Sequence, residues 1–156
     1  MDGYHGSCFN MYLDVKGFSR KQERIVTDAT LFFINKLIHP NTLRVLELTI
    51  VRKKIWADGF CQYEDSNIRP RSFILEISNQ LEGEELIKTI AHELVHVKQY
   101  VKGELKERHK PNYYHMWHKE LVIVNDDNFY DVPWEVEARK FESDLYNLYV
   151  SKYGAF

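Results

Sequence analysis

His92 and His96 lie four positions apart in the sequence, with Glu93 directly after the first of them. An α-helix has about 3.6 residues per turn, so it places residues at this spacing on one face. Two imidazoles on one helical face can bind one metal ion while the neighbouring carboxylate reaches a water molecule on that metal. A polar stripe on a solvent-facing helix would show the same pattern. We interpret the spacing as a helix that carries one zinc ion, with His92 and His96 as ligands and Glu93 as general base.

Length and composition limit the remaining possibilities. A chain of 156 residues with 44% hydrophobic residues can bury one core, so we expect a single domain over 1–156, with 1–18 unassigned. The 21 basic and 23 acidic residues nearly cancel, which gives no strong signal for nucleic acid or an anionic membrane as partner. Cys8 and Cys61 form no Cys-x-x-Cys pair and are expected to be free thiols. The sequence shows no export signal and no long apolar run, which favours a cytoplasmic location.

Hydrophobic periodicity divides the chain into helices and strands. Apolar residues recur at helical spacing from Ser19 to Ile38, from about Gly83 to Lys102, and from Pro133 onward. Between the first two helices, short runs of β-branched and aromatic residues are bounded by turn residues. These runs predict three strands of one sheet, at 44–52, 57–63 and 71–77.

A third metal ligand is expected from the last helix, which carries Glu135 and Glu137. The apolar residues of this helix repeat at helical spacing and define an inward arc, formed by Trp134, Ala138, Phe141, Leu145 and Leu148. With Trp134 as zero on the helical wheel, Glu137 falls at about −60°, at the edge of the arc, and Glu135 at about +100°, outside it. Glu137 is therefore the predicted third ligand. Glu135 is interpreted as a first-turn glutamate favoured by the helix dipole.

These residues together resemble the gluzincin metallopeptidases, in which two histidines of one helix and a glutamate of a later helix bind zinc. The chain is similar to small, uncharacterised metallopeptidases of phage and bacterial genomes over roughly residues 44–150. The likeness is carried by His92–Gln99 (His-Glu-Leu-x-His-x-x-Gln), the aromatic segment Tyr113–Lys119, and Tyr130–Ala138. It implies a zincin-like α+β domain with a small antiparallel or mixed sheet, an N-terminal helix, an active-site helix and a C-terminal ligand helix. The last strand before the active-site helix would lie at the edge of the cleft.

The chain departs from the family pattern at two positions. Many relatives have Gly where this chain has His118. The gluzincin ligand helix usually carries an acid four residues after the ligand, and Phe141 stands there in this chain. Asp144 lies on the same side of the helix as Glu137 and is a candidate to orient a ligand histidine.

The resemblance implies zinc-dependent hydrolysis of peptide bonds, with a peptide or protein as substrate. Glu93 would take a proton from the attacking water and deliver it to the leaving amine. We expect Tyr130 or His118 to stabilise the oxyanion, with Tyr113, Tyr114 and His115 as further candidates. An extended peptide would add to the sheet beside Arg71–Ser78. The cleavage preference and the oligomeric state do not follow from the sequence.

Two other interpretations remain open. SprT-like proteases resemble this chain but use a downstream histidine as third ligand, and three are available, at His109, His115 and His118. Alternatively, the domain is a zinc-binding interaction module without turnover. The intact Glu93 argues against the second interpretation, because a purely structural zinc site has no use for a base and is usually closed by a fourth protein ligand.

Overall fold

The computed structural model describes residues 11–65, 68–109 and 113–154. Within these ranges the chain forms four helices and two small sheets, so the predicted α+β class is confirmed. The elements follow one another as β1 (Tyr12–Lys16), α1 (Arg20–Leu37), α2 (Pro40–Leu43), β2 (Glu47–Lys53), β3 (Gly59–Tyr63), β4 (Ser72–Ser78), α3 (Gly83–Val101), β5 (Leu105–Arg108), β6 (Tyr114–Trp117), β7 (Glu120–Val122) and α4 (Pro133–Tyr153).

The larger sheet has the strand order β1-β2-β4-β3. Strands β1, β2 and β4 are parallel, whereas β3 pairs antiparallel with β4 and forms one edge. Strand β4 is interior, because Leu75 pairs with Ile50 of β2 on one side and with Cys61 of β3 on the other. The backbone groups of β4 are thus already paired in both directions. The prediction that the last strand before the active-site helix lies at the cleft edge, with a peptide added beside Arg71–Ser78, is therefore wrong.

The N-terminal helix begins where the sequence predicts. Ser19 and Gln22 form a capping box, in which each side chain bonds to the backbone of the other and satisfies amides at the helix start. The inward face of α1 is fully buried against α3 and the sheet at Val26, Ala29, Phe33 and Ile34. Within the segment that the sequence left unassigned, residues 12–16 form β1 alongside β2. Cys8 lies outside the described residues, and Cys61 is a free thiol, as predicted.

Helix α3 is buried on both sides. Its apolar stripe, which includes Ile90 and Leu94, packs into the core. The opposite face is covered as well, since Glu93 and His96 are only 5% and 7% exposed. Helix α4 and strand β3 both pack against α3. These two elements therefore cover the histidine face of α3.

A second sheet, of β5, β6 and β7, follows α3 and was not predicted from the sequence. The chain leaves α3 through Gly103, whose φ of 71° is in the left-handed region that glycine tolerates. The β6–β7 turn consists of His118 and Lys119, with φ of 45° and 70°. Glycine would adopt this conformation at lower cost than the histidine that stands here. None of the described helices is long and apolar enough to span a membrane.

Candidate metal centre

The two histidines of α3 converge with a glutamate of α4. His92 Nε2 and His96 Nε2 are 3.2 Å apart. Glu135 faces both rings, with Oε2 3.2 Å from His92 Nε2 and Oε1 3.1 Å from His96 Nε2. These three side chains can hold a metal ion, since one ligand atom from each lies within 4.8 Å of the others. Among the described residues, no fourth histidine, cysteine or carboxylate joins this group.

The glutamate in this group is Glu135, whereas the sequence analysis selected Glu137. The Glu137 carboxylate points to the neighbouring part of α3, where it accepts hydrogen bonds from Gln99 Nε2 at 2.8 Å and from Lys98 Nζ at 3.3 Å. The prediction of Glu137 as third ligand is therefore corrected to Glu135. Glu137 contributes to the centre indirectly, through Gln99.

The error came from the residues chosen to define the inward arc of the helical wheel. Leu148 was counted as inward-facing, but its side chain is 51% exposed, whereas Tyr146 and Tyr149 are buried. On a wheel with Trp134 at zero, these two tyrosines lie at about +120° and +60°, so the buried arc is displaced toward positive angles. Glu135, at about +100°, falls inside the true arc.

Each ligand histidine is oriented through its other ring nitrogen. His92 Nδ1 is 2.9 Å from Glu142 Oε2, and His96 Nδ1 is 2.8 Å from Gln99 Oε1. A carboxylate and an amide oxygen only accept hydrogen bonds, so each Nδ1 carries the proton. In the neutral imidazoles both Nε2 atoms then present a lone pair toward the Glu135 carboxylate. This outer arrangement is typical of histidines that bind metal.

The acid that orients His92 is Glu142, which the sequence analysis missed. The proposed orienting acid, Asp144, is exposed to solvent. Glu142 lies seven residues after Glu135, which is nearly two full turns, so both carboxylates face α3. Glu142 can be read from the sequence at this spacing, but the spacing becomes meaningful only when Glu135, and not Glu137, is taken as the ligand. Phe141 is partly buried against the core, with Lys98 Nζ 5.4 Å from its ring centre.

The centre favours a positive charge between the histidines and the carboxylates. Burial opposes the charged form of His92, but hydrogen bonds with Glu135 and Glu142 outweigh it and raise the pKa of His92 to about 10. Burial likewise disfavours an ionised Glu135, yet the hydrogen bonds from His92 and His96 hold its pKa well below the usual range. A metal cation would supply the same positive charge as the proton. Two nitrogen donors and one oxygen donor are suitable ligands for such a cation.

Glu93 lies beside this group but is not one of its three members. Its side chain is buried, and burial raises the pKa of the carboxyl, although the nearby histidines oppose that shift. Among the described residues, no hydrogen bond engages the Glu93 carboxylate. The backbone of β3 runs directly against it: a Cβ added at Gly59 would lie 2.9 Å from Glu93 Oε1 and 3.0 Å from Thr89 Cγ2. A buried carboxyl with a raised pKa and no fixed partner is a candidate general base.

A cavity of about 340 Å³ opens onto His92, Glu93, His96 and Glu135. One wall comes from β3 and the preceding loop, and the other from the start of α4 and the loop before it. Tyr130, a predicted oxyanion donor, lines this cavity and is 66% exposed. His118, the other candidate, does not line it, because it occupies the turn between β6 and β7 and packs edge-on against Trp117.

Of the histidines considered as alternative ligands, only His115 reaches the cavity. Its ring stacks on Trp134 with the ring centres 5.0 Å apart, and burial lowers its pKa. Among the described residues, the three-residue metal-binding group includes neither His109, His115 nor His118.

Comparison with known proteins gave no match to a family model, to a curated protein or to a solved structure.

Proposed function

We propose that this chain is a zinc-dependent metallopeptidase with a zincin-like fold, whose metal is held by His92, His96 and Glu135. One observation carries the proposal: a buried carboxylate, Glu93, lies beside a three-residue metal-binding group, and all four side chains face one open cavity. A structural zinc site is normally closed by a fourth protein ligand. Here the described residues supply three, which leaves room for a water molecule and a substrate.

The donor set favours zinc over calcium and magnesium. Calcium and magnesium prefer oxygen ligands, whereas two imidazole nitrogens and one carboxylate are a known catalytic zinc set. A zinc ion bound here would acidify a coordinated water and polarise the carbonyl group of a substrate. The Nδ1 contacts with Glu142 and Gln99 hold both imidazoles in the tautomer that zinc requires.

Side chains of the protein would then accept and donate the protons. Glu93 accepts a proton from the water as it attacks the peptide carbonyl and passes that proton to the leaving amine. The raised pKa of Glu93 suits a group that must both accept and release a proton. Tyr130 and His115, which both line the cavity, are the candidates to donate a hydrogen bond to the oxyanion.

A peptide fits the surroundings of the site. Strand β3 is the edge of the larger sheet, and its residues Gly59, Phe60 and Cys61 line the cavity. An extended substrate can pair its backbone with such an edge, which fixes its direction across the metal. Aromatic pairs line the cavity on both walls, namely Trp56 with the half-buried Phe60 and Phe129 with Tyr130. Aromatic rims of this kind supply apolar contact for peptide side chains.

The test compares wild-type protein with Glu93→Gln, each loaded with zinc, on a broad library of peptides. We expect wild-type cleavage that a chelator abolishes and added zinc restores, and at least about a 100-fold loss of rate in the variant with zinc affinity unchanged. Glu85→Gln is the matched control, because Glu85 lies on the same helix and is exposed.

Two results would count against the proposal. Equal cleavage by wild-type protein and Glu93→Gln would remove Glu93 from the mechanism. Tight zinc binding without cleavage of any peptide would instead favour the zinc-binding interaction module.

A further inference from the structure

A third carboxylate, besides those of Glu93 and Glu135, faces the same cavity. Glu107 lies on β5 and lines the cavity together with Tyr100 and His115. Oε1 accepts a hydrogen bond from Tyr100 at 2.8 Å and Oε2 accepts one from Tyr63 at 3.1 Å, and the Tyr113 hydroxyl is a third hydrogen-bonding neighbour. These hydroxyl groups fix the carboxylate in position and leave further acceptor capacity on both oxygens.

No basic side chain of the described residues neutralises Glu107. Its one ion-pair neighbour among them is His115, with Nε2 3.7 Å from Glu107 Oε1. The lysine and arginine that flank it on β5, Lys106 and Arg108, point to the other face of the strand because side chains alternate. Glu107 is therefore a fixed and partly buried negative charge that faces a substrate cavity.

The surroundings of Glu107 suit a long basic side chain. The cavity that leads to it is walled by the aromatic rings of Tyr100, His115 and Trp134. Aromatic walls of this kind accommodate the aliphatic stem of a lysine or arginine and attract its charged end.

The spacing between Glu107 and the metal centre suits a residue close to the cleaved bond. Tyr100, which holds Glu107, lies four residues after His96 on α3, a rise of about 6 Å along the helix. Strand β3 runs alongside this part of α3, since a Cβ added at Gly59 would contact Glu93 and the Tyr63 hydroxyl bonds Glu107. A lysine side chain spans about this distance from its Cα to its amino group.

We propose that Glu107 selects substrates with a lysine or arginine next to the cleaved bond, by binding the charged end of that side chain. The inference rests on the proposed peptidase function and adds its substrate class. The hydroxyl groups of Tyr63 and Tyr100 are positioning groups that hold the Glu107 carboxylate toward the charged end of the substrate side chain.

The experiment uses zinc-loaded full-length protein and peptides blocked at both ends, paired so that lysine in one is replaced by norleucine in the other. The substituted position is moved through each residue on both sides of the cleaved bond. We expect one position at which lysine raises kcat/KM at least about tenfold over norleucine. Glu107→Gln, whose amide oxygen still accepts a tyrosine hydrogen bond, should reduce that advantage to about twofold or less. Glu120→Gln, at an exposed site of the same small sheet, is the control.

Cleavage without a lysine advantage at any position would overturn the inference while the peptidase proposal stands. A lysine advantage that survives in Glu107→Gln would overturn it as well. If no peptide is cleaved, the affinity of zinc-loaded Glu93→Gln for the same peptide pairs, measured by calorimetry, decides the question. A preference for lysine that Glu107→Gln removes would then support the charged pocket although the peptidase proposal has failed, and equal affinities would overturn both.

Discussion

The amide oxygen of Gln99 lies 2.8 Å from His96 Nδ1, one helical turn further along α3. The opposite end of the same amide is held twice, since Nε2 donates to the Trp134 carbonyl at 3.0 Å and to Glu137 Oε2 at 2.8 Å. With its NH₂ group engaged in this way, Gln99 can present only its oxygen to His96. The start of α4 therefore sets the tautomer of His96 through a completely buried glutamine.

Gln99→Leu should weaken zinc binding by about 10–100-fold, because His96 loses the acceptor that fixes its ring and its tautomer. The measurement is a competition titration against a chelator of known affinity. Gln80→Leu, at an exposed glutamine, serves as control and should leave the affinity unchanged. An unaltered affinity in Gln99→Leu would show that His96 does not depend on Gln99.

The two glutamates of α4 should respond differently to the same substitution. Glu135→Gln should weaken zinc binding by more than about 100-fold, because a neutral amide replaces a charged ligand. Glu137→Gln should stay within about tenfold of wild type, since the new amide oxygen still accepts the hydrogen bond from Gln99. The same chelator competition measures both variants. The reverse order of effects would restore Glu137 as the ligand.

Gly59→Ala should impair turnover without loss of metal. The added Cβ would lie 2.9 Å from Glu93 Oε1, so either the carboxylate or β3 must shift. Misplacement of a catalytic group by about 1 Å can lower the rate by roughly 100-fold, and we expect a decrease in kcat of about 10–100-fold. Paired measurements of kcat and zinc affinity test this. A normal kcat would mean that the site accommodates the methyl group and that Glu93 tolerates displacement.

The sequence predicted the parts of the centre that depend on helical spacing within one element. His92, Glu93 and His96 share a helix, so their common face follows from the repeat alone. The long helices were also predicted closely, with α1 at Arg20–Leu37 and α3 at Gly83–Val101. Local capping and hydrophobic periodicity determine these features, and both are visible in a single sequence.

Features that depend on contacts between elements were predicted less well. The choice between Glu135 and Glu137 required the rotation of α4 about its axis, and the exposed Leu148 gave a false direction. The order of strands in the sheet was not determined either, because β3 and β4 both read as short apolar strands. The edge strand is β3 and not β4, so the edge to which a peptide can add is β3.

Because of the tyrosines around Glu107, the free energy of unfolding should decrease at alkaline pH. Burial, and then the negative charge of Glu107, raises the pKa of Tyr63 from 10.0 to about 12. Below pH 10 the tyrosine keeps its proton in the folded and unfolded chain alike, so its full contribution to stability is present there. Between pH 10 and about 12 the unfolded chain loses the proton first, and the free energy of unfolding must fall as the pH rises.

Urea denaturation at a series of pH values from 8 to about 11.5 measures this fall. Tyr63→Phe should show a shallower decrease than wild type over that interval, because the variant lacks the titrating group. Glu107→Gln should also reduce the slope, since it removes the charge that opposes the phenolate. Tyr130→Phe is the control, at an exposed tyrosine of the same cavity, and should follow the wild-type curve. Parallel curves for wild type and Tyr63→Phe would show that the hydroxyl of Tyr63 is not held against Glu107 in solution, and the positioning role assigned to it would fail.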